Sequence, residues 1–127
     1  MNDRALFNSK QIGEIGEKAA SELIEQKGFK ILERNFRYRR LGEIDIIAVH
    51  EKDLHFIEVK ARSSRNFGLP SESVTSKKIR KIRMLAQLYL LKYDPNKYSV
   101  RFDVIEVFVR FLDTIQVYKL NHIEDAF

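Results

Sequence analysis

The 127-residue chain is 44% hydrophobic and 32% charged, has no cysteine and carries a formal net charge of +5. Those fractions belong to a globular domain rather than to a disordered or fibrous chain, and the length suffices for one buried core. They exclude a disulfide framework, a thiolate metal site and a transmembrane helix, and the opening Met1-Asn2-Asp3-Arg4-Ala5-Leu6-Phe7 lacks the apolar stretch of a secretion signal, so the cytoplasm is the expected compartment.

Residues 1–10 read as a loose arm. From Gln11 to Lys27, Ile12, Ile15, Ala19 and Leu23 recur at helical spacing, and Gly28 ends the pattern. Glu14 and Glu25 fall opposite that stripe, whereas Glu17 falls near its edge, beside Gly13, Ala20 and Ile24. Two glycines within a helix cost up to ~1 kcal/mol each. Gly13 and Gly16 therefore mark a backbone that the sheet or a substrate approaches closely. Phe29–Phe36 reads as a strand. It runs into Arg34-Asn35-Phe36-Arg37-Tyr38-Arg39-Arg40, where arginines alternate with rings suited to phosphates and bases.

Residues 42–62 read as two strands about a polar tip, His50-Glu51-Lys52-Asp53. Period-2 geometry puts Glu43, Asp45, Ile47 and Val49 on one face, with Ile44, Ile46 and Ala48 on the other. In the second strand Leu54, Phe56, Glu58, Lys60 and Arg62 share a face. A turn between Glu51 and Lys52 keeps the apolar residues together by setting Val49 opposite Leu54 and Ile47 opposite Phe56. The same register sets Asp45 opposite Glu58 and Glu43 opposite Lys60. Opposed carboxylates repel unless a proton or a cation lies between them. Oxygen ligands of this kind suit Mg²⁺ or Mn²⁺, and Lys60 adds an ammonium beside the metal position. A metal, a water it activates and a lysine facing an anionic substrate make a phosphodiester-hydrolysing site. Glu-x-Lys on a strand is by itself more often a solvated face, so the weight rests on Asp45 being opposite.

Ser63-Ser64-Arg65-Asn66-Phe67-Gly68-Leu69-Pro70 reads as a turn. A second helix starts at Ser71 or Ser76 and reaches Tyr93, with Ile79, Ile82, Ala86, Tyr89 and Leu90 as its core stripe. Lys77, Lys78 and Lys81 crowd its first turns, and Met84, Leu88 and Leu91 form a second apolar stripe. Asp94-Pro95-Asn96 breaks it. Val100–Arg110 and Thr114–Leu120 read as strands, and 121–127 as a frayed tail. The three histidines have no ligand-like spacing, and Asp103 reads as structural. One α/β domain of order α-β-β-β-α-β-β spans residues 1–127, with its core at about 11–110.

Gly13-Glu14-x-Gly16-Glu17-x-x-Ala20, Gly28-Phe29-x-Ile31-Leu32-x-Arg34-Asn35 and Gly42-Glu43-Ile44-Asp45-Ile46-Ile47-Ala48 resemble the YraN family of bacterial proteins. The match continues through Phe56-Ile57-Glu58-Val59-Lys60-x-Arg62, Gly68-x-Pro70, the Lys78–Leu90 helix and Arg101-Phe102-Asp103-Val104. That family is similar to restriction-endonuclease-like nucleases related to archaeal Holliday-junction resolvases. The resemblance implies an α-β-β-β-α-β core with a mixed central sheet flanked by helices, here followed by one further strand. It implies catalytic roles for Glu17, Asp45, Glu58 and Lys60. Asp45, Glu58, the Val59 carbonyl and, directly or through water, Glu17 would be the metal ligands. The proline that often precedes the aspartate in that superfamily is replaced by Glu43-Ile44. The Gln-x-x-x-Tyr helix motif of helicase-coupled relatives is missing, since Gln87 is followed by Leu91.

The expected partner is nucleic acid, DNA ahead of RNA, held by Arg34, Arg37, Arg39, Arg40, Arg62, Lys77, Lys78 and Lys81. A homodimer would suit symmetric junction cleavage. No membrane partner is expected. Two rival readings keep the fold without the reaction. One is a non-catalytic nucleic-acid-binding module, and the other a protein-interaction scaffold using Met84, Leu88 and Leu91.

Overall fold

The computed structural model describes residues 9–63, 74–93 and 98–127. Helix α1 (Ser9–Gln26) precedes strands β1 (Lys30–Arg37), β2 (Glu43–His50) and β3 (Asp53–Ser63). Helix α2 (Ser76–Lys92) and strands β4 (Ser99–Phe111) and β5 (Ile115–Ile123) follow, giving the expected order. The N-terminal arm up to residue 8, nearly all of the 63–70 turn and the Asp94-Pro95-Asn96 break lie outside the described residues.

Gly28 ends α1 as its position predicts. At φ 92° it takes the left-handed conformation that closes a helix, with its N–H on Glu25 O and the Phe29 N–H on Ile24 O. The buried stripe is rotated from the expected Ile12-Ile15-Ala19-Leu23 line: Gly16, Ala20, Ser21 and Ile24 are buried, and Ile12, Ala19 and Leu23 flank them. Close approach explains the rotation. A Cβ on Gly16 would meet Ala61 at 3.6 Å and Val59 at 3.8 Å in ordinary contact, so α1 lies on β3 at a distance that a methyl group would fill. The same rotation turns Glu17 towards the sheet.

The sheet runs β1-β2-β3-β4-β5, with β3 and β4 parallel and every other pair antiparallel. Ala20 and Ile24 of α1 pack on Ile46, Ala48, Ile57, Ile105 and Val107. On the other face Ile82, Leu85, Ala86 and Tyr89 of α2 pack on Ile47, Leu54 and Phe56. Three layers result, and the segments covered on both faces, such as Ile46-Ile47-Ala48 and Phe56-Ile57, are runs of apolar residues. Thr75 caps α2 by accepting from the Lys78 N–H, which settles the start at Ser76. Leu85, not among the expected stripe residues, is buried, whereas Met84 and Leu91 are 49% and 81% exposed.

The hairpin pairs as expected through Val49↔Leu54 and Ile47↔Phe56, but its ladder ends at Ile46↔Ile57. The anticipated Asp45↔Glu58 and Glu43↔Lys60 pairs are not made. Closing them would press two carboxylates together, and the Asp45 carboxylate instead accepts the Val59 N–H at 2.8 Å. The strands therefore fork at Asp45. Beyond the fork Ile44 joins the α2-side cluster, not the α1 side of Ile46, so the expected face of Ile44 is corrected.

Residues 121–127 do not fray. Strand β5 continues to Ile123, the Ala126 N–H donates to Phe102 O at 2.7 Å, and the rings of Phe127 and Phe102 lie 5.5 Å apart. No helix among the described residues is long and apolar enough to cross a membrane.

Candidate metal centre and nucleic-acid face

The fork assembles an acidic group from α1 and β2. Carboxylate oxygens of Glu17, Glu43 and Asp45 all lie within 4.8 Å of one another. Glu17 arrives on α1 and hydrogen-bonds Asp45 and Asn35; the latter takes a left-handed φ of 53°, which asparagine tolerates. Burial and then the Glu43 carboxylate push the Glu17 pKa up. Burial, Glu58, Glu17 and Glu43 drive Asp45 up to about 8 against the pull of the Val59 N–H. Without a cation the group therefore retains a proton near neutrality.

Glu58 lies across the fork, 3% exposed. Its Oε1 meets the Lys78 ammonium at 2.5 Å, whereas its Oε2 is buried with no hydrogen-bond partner. An orphaned buried carboxylate oxygen costs about 1–3 kcal/mol or more. Val59 points its N–H at Asp45, and in an extended strand its carbonyl projects to the same side, beyond the last β2–β3 pair. The carboxylates of Glu17, Glu43 and Asp45 form an oxygen-only group that fits a metal ion, and Glu58 and the Val59 carbonyl lie outside it on the neighbouring strand. Lys60, half-buried on the same face as Glu58, has no ion-pair partner among the described residues.

The expected nucleic-acid residues fall into two groups. Lys77, Lys78 and Lys81 line a cleft of about 330 Å³ with Leu41, Glu43 and Leu85. Arg37, Arg39 and Arg40 line an adjoining hollow that shares Gly42 and Glu43. These six cations thus surround the mouth of the acidic group, although Lys78 sits on Glu58 and Arg37 is paired with Glu43 at 2.7 Å. Arg34 is exposed on β1, and Arg62 is paired with Glu106 at 2.7 Å.

Two features escaped the sequence reading. Glu43 belongs to the acidic group, and the signal was its position two residues before Asp45 on one strand face. Histidines distant in sequence also meet: Asp103 Oδ2 lies 2.6 Å from His55 Nδ1 and 2.8 Å from His122 Nε2. The Lys27 ammonium donates to His122 Nδ1 at 2.8 Å, which leaves His122 Nε2–H to donate to Asp103. Burial pushes the Asp103 carboxyl up, but hydrogen bonds from His122 and His55 outweigh it and hold the group at about 2. The Asp125 N–H donates to its other oxygen, so Asp103 fastens the C-terminal segment, in keeping with a structural role.

A mixed five-stranded sheet between two helices, with an acidic group where the central hairpin forks, matches the core of restriction-endonuclease-like proteins. The chain belongs to the YraN family: the model described as "Uncharacterised protein family UPF0102" matches residues 16–107. It is 45% identical over 120 residues to a UPF0102 protein of Caldanaerobacter subterraneus, covering 94% of this chain and 97% of the relative. A UPF0102 protein of Acetivibrio thermocellus is 48% identical over 121 residues, covering 94% and 93%. Another from Clostridioides difficile is 46% identical over 121 residues, covering 95% and 100%.

Proposed function

We propose that this protein is a Mg²⁺- or Mn²⁺-dependent DNA endonuclease, with branched or junction DNA one candidate substrate among flap, duplex and single-stranded forms. The observation that carries the reading is the forked acidic group, Asp45 with Glu17 and Glu43, together with Glu58, whose charge raises the Asp45 pKa and whose Oε2 is buried without a hydrogen-bond partner. Asp45, Glu58, Glu17 and the Val59 carbonyl would hold the ion, which would supply Lewis acidity for phosphodiester hydrolysis. Lys60 would orient the attacking water and set its ammonium towards the charge developing at phosphorus. Arg39, Arg40, Lys77 and Lys81 hold backbone phosphates at the mouth of the site, so affinity falls steeply with salt. Symmetric cutting of a junction would favour a homodimer, and the cytoplasm is the compartment we propose.

A second reading has a specific observation of its own. Lys78 already neutralises Glu58, as a binding module without metal requires. Labelled duplex, single-stranded, flap and four-way-junction DNA, incubated with Mg²⁺, Mn²⁺ or EDTA, separates the two. Metal-dependent cutting that disappears in both Glu58→Ala and Lys60→Ala establishes the nuclease. Binding without cutting establishes the module, and cutting that survives in both variants refutes the site.

A further inference from the structure

Helix α2 covers only part of its side of the sheet. Ile47, Leu54, Phe56 and Phe102 lie beneath or beside it, but the same face continues along β3 and β4 through Lys60, Arg62, Glu106, Phe108 and Arg110. There Phe108 is half-buried, Tyr118 of β5 is 48% exposed and Arg110 is exposed. The opposite face at this level is closed, with Val107 and Val109 buried on the α1 side.

The exposed surface has a definite composition. The Phe108 and Tyr118 rings lie 6.2 Å apart. The Arg110 guanidinium sits 4.5 Å from the Tyr118 ring centre, and the Lys119 ammonium 5.2 Å from that of Phe108. Arg62 pairs directly across the strands with Phe108. The carboxylate on this face, Glu106, is already engaged by Arg62 at 2.7 Å and by Asn121 at 3.0 Å. Among the described residues, what remains on this part of the face is two rings and two cations, Arg110 and Lys119, with no ion-pair partner. Arg62 is four residues along β3 from Glu58, so the rings begin about 14 Å from the acidic site.

We propose that the Phe108–Tyr118 face of β4 and β5 seats an unpaired nucleic-acid strand, with bases on the rings and phosphates on Arg110 and Lys119. The inference rests on the nucleic-acid reading above and names the part of the substrate that reading leaves open, a single-stranded arm leaving the cleavage point. Unpaired bases are what the geometry selects. A ring lying in a sheet face stacks only on a base whose own face is free, and duplex bases hide theirs in the helical stack. Cations beside the rings give charge complementarity to a polyanion, which a second copy of this basic chain does not offer.

The test measures fluorescence anisotropy of the full chain in EDTA, so that no cleavage intervenes. The probes are a labelled oligothymidylate of about 15 nucleotides, near the upper span of one such platform, and a blunt duplex of equal length. The double substitution Phe108→Ala with Tyr118→Ala is expected to weaken oligothymidylate binding about tenfold or more and duplex binding less than about twofold. Arg110→Ala with Lys119→Ala should lower the single-strand salt slope by about 1.4. Phe108→Leu with Tyr118→Leu keeps apolar bulk and guards against a folding artefact; it should remain as weak as the alanine pair. The proposal is overturned if ring removal leaves oligothymidylate affinity within about twofold, if duplex binding falls equally, or if leucine restores binding. A wild-type dimer that the alanine pair dissociates would also overturn it, identifying the face as an interface between copies. A wild-type chain that binds neither probe refutes this inference together with the nucleic-acid reading. Ring-dependent single-strand binding without metal-dependent cutting leaves the platform standing and removes only the nuclease.

Discussion

Replacing Asp45 by asparagine should stabilise the metal-free protein, and the gain should grow with pH. The Asp45 carboxyl is raised from 3.8 to about 8 by burial and by the Glu58, Glu17 and Glu43 carboxylates. Its folded pKa thus lies above the unfolded one. Stability is full below about pH 4 and is lost as pH rises towards 8, because the unfolded chain gives up its proton first. By pH 7 the unfolded carboxyl has been titrated over about three pH units above its 3.8, each worth about 1.4 kcal/mol, so about 4 kcal/mol is lost as an upper bound. Asparagine cannot ionise, yet it keeps an oxygen for the Val59 N–H. Urea unfolding in EDTA should find Asp45→Asn equal to or below wild type near pH 4 and more stable by a few kcal/mol near pH 8. Added Mn²⁺ should close that gap by stabilising wild type and leaving the variant unmoved. A difference that does not change with pH would refute the argument that Asp45 is held protonated by its neighbours.

Asp103→Asn should behave in the opposite way. The Asp103 carboxyl is depressed to about 2, so its stabilisation is present above pH 4 and lost as pH falls towards 2. Unfolding curves should show a deficit of about 2–3 kcal/mol at neutral pH that closes in acid. Leu85→Ala, at the centre of the α2 contact and 1% exposed, should cost about 2–5 kcal/mol by urea titration with the slope unchanged. Gly16→Ala should be neutral or stabilising, since its Cβ makes an ordinary 3.6 Å contact with Ala61 and the helix gains propensity. Gly16→Leu should lift α1 from β3, carry Glu17 away from Asp45 and weaken Mn²⁺ binding by calorimetry.

Most of the fold was legible because its elements are strongly patterned. The hairpin register followed from matching Val49 with Leu54 and Ile47 with Phe56, and the structure makes both pairs. The fork was not legible, because strand periodicity carries no information on where a ladder stops. Stopping depends on the cost of closing Asp45 against Glu58, a tertiary term. The α1 stripe was misplaced for a related reason. Hydrophobicity weights Ile15 above Gly16, whereas the close approach of α1 to Ala61 and Val59 turns the smaller residue inward. The Lys78–Glu58 pair and the His55-Asp103-His122 cluster join distant segments, and spacing along the chain could not report them. The tail looked frayed because its sequence is polar, yet Asp125 and Phe127 are fixed by Asp103 and Phe102.

The parallel joint between β3 and β4 has a consequence for how the chain acquires its shape. Its pairs run from Asp53↔Ser99 to Ser63↔Val109, each closing the same long interval through α2. The β1-β2-β3 meander is local and can form early, but the far edge of β3 waits until residue 109 is available. Loop closure of that length is slow compared with hairpin formation, so it should limit the folding rate. On that order of events the carboxylates of the fork would come together while β3, which carries Glu58, is still an open edge. Until β4 arrives, that edge offers its unpaired backbone to any passing strand, which makes this interval the one most exposed to misassembly.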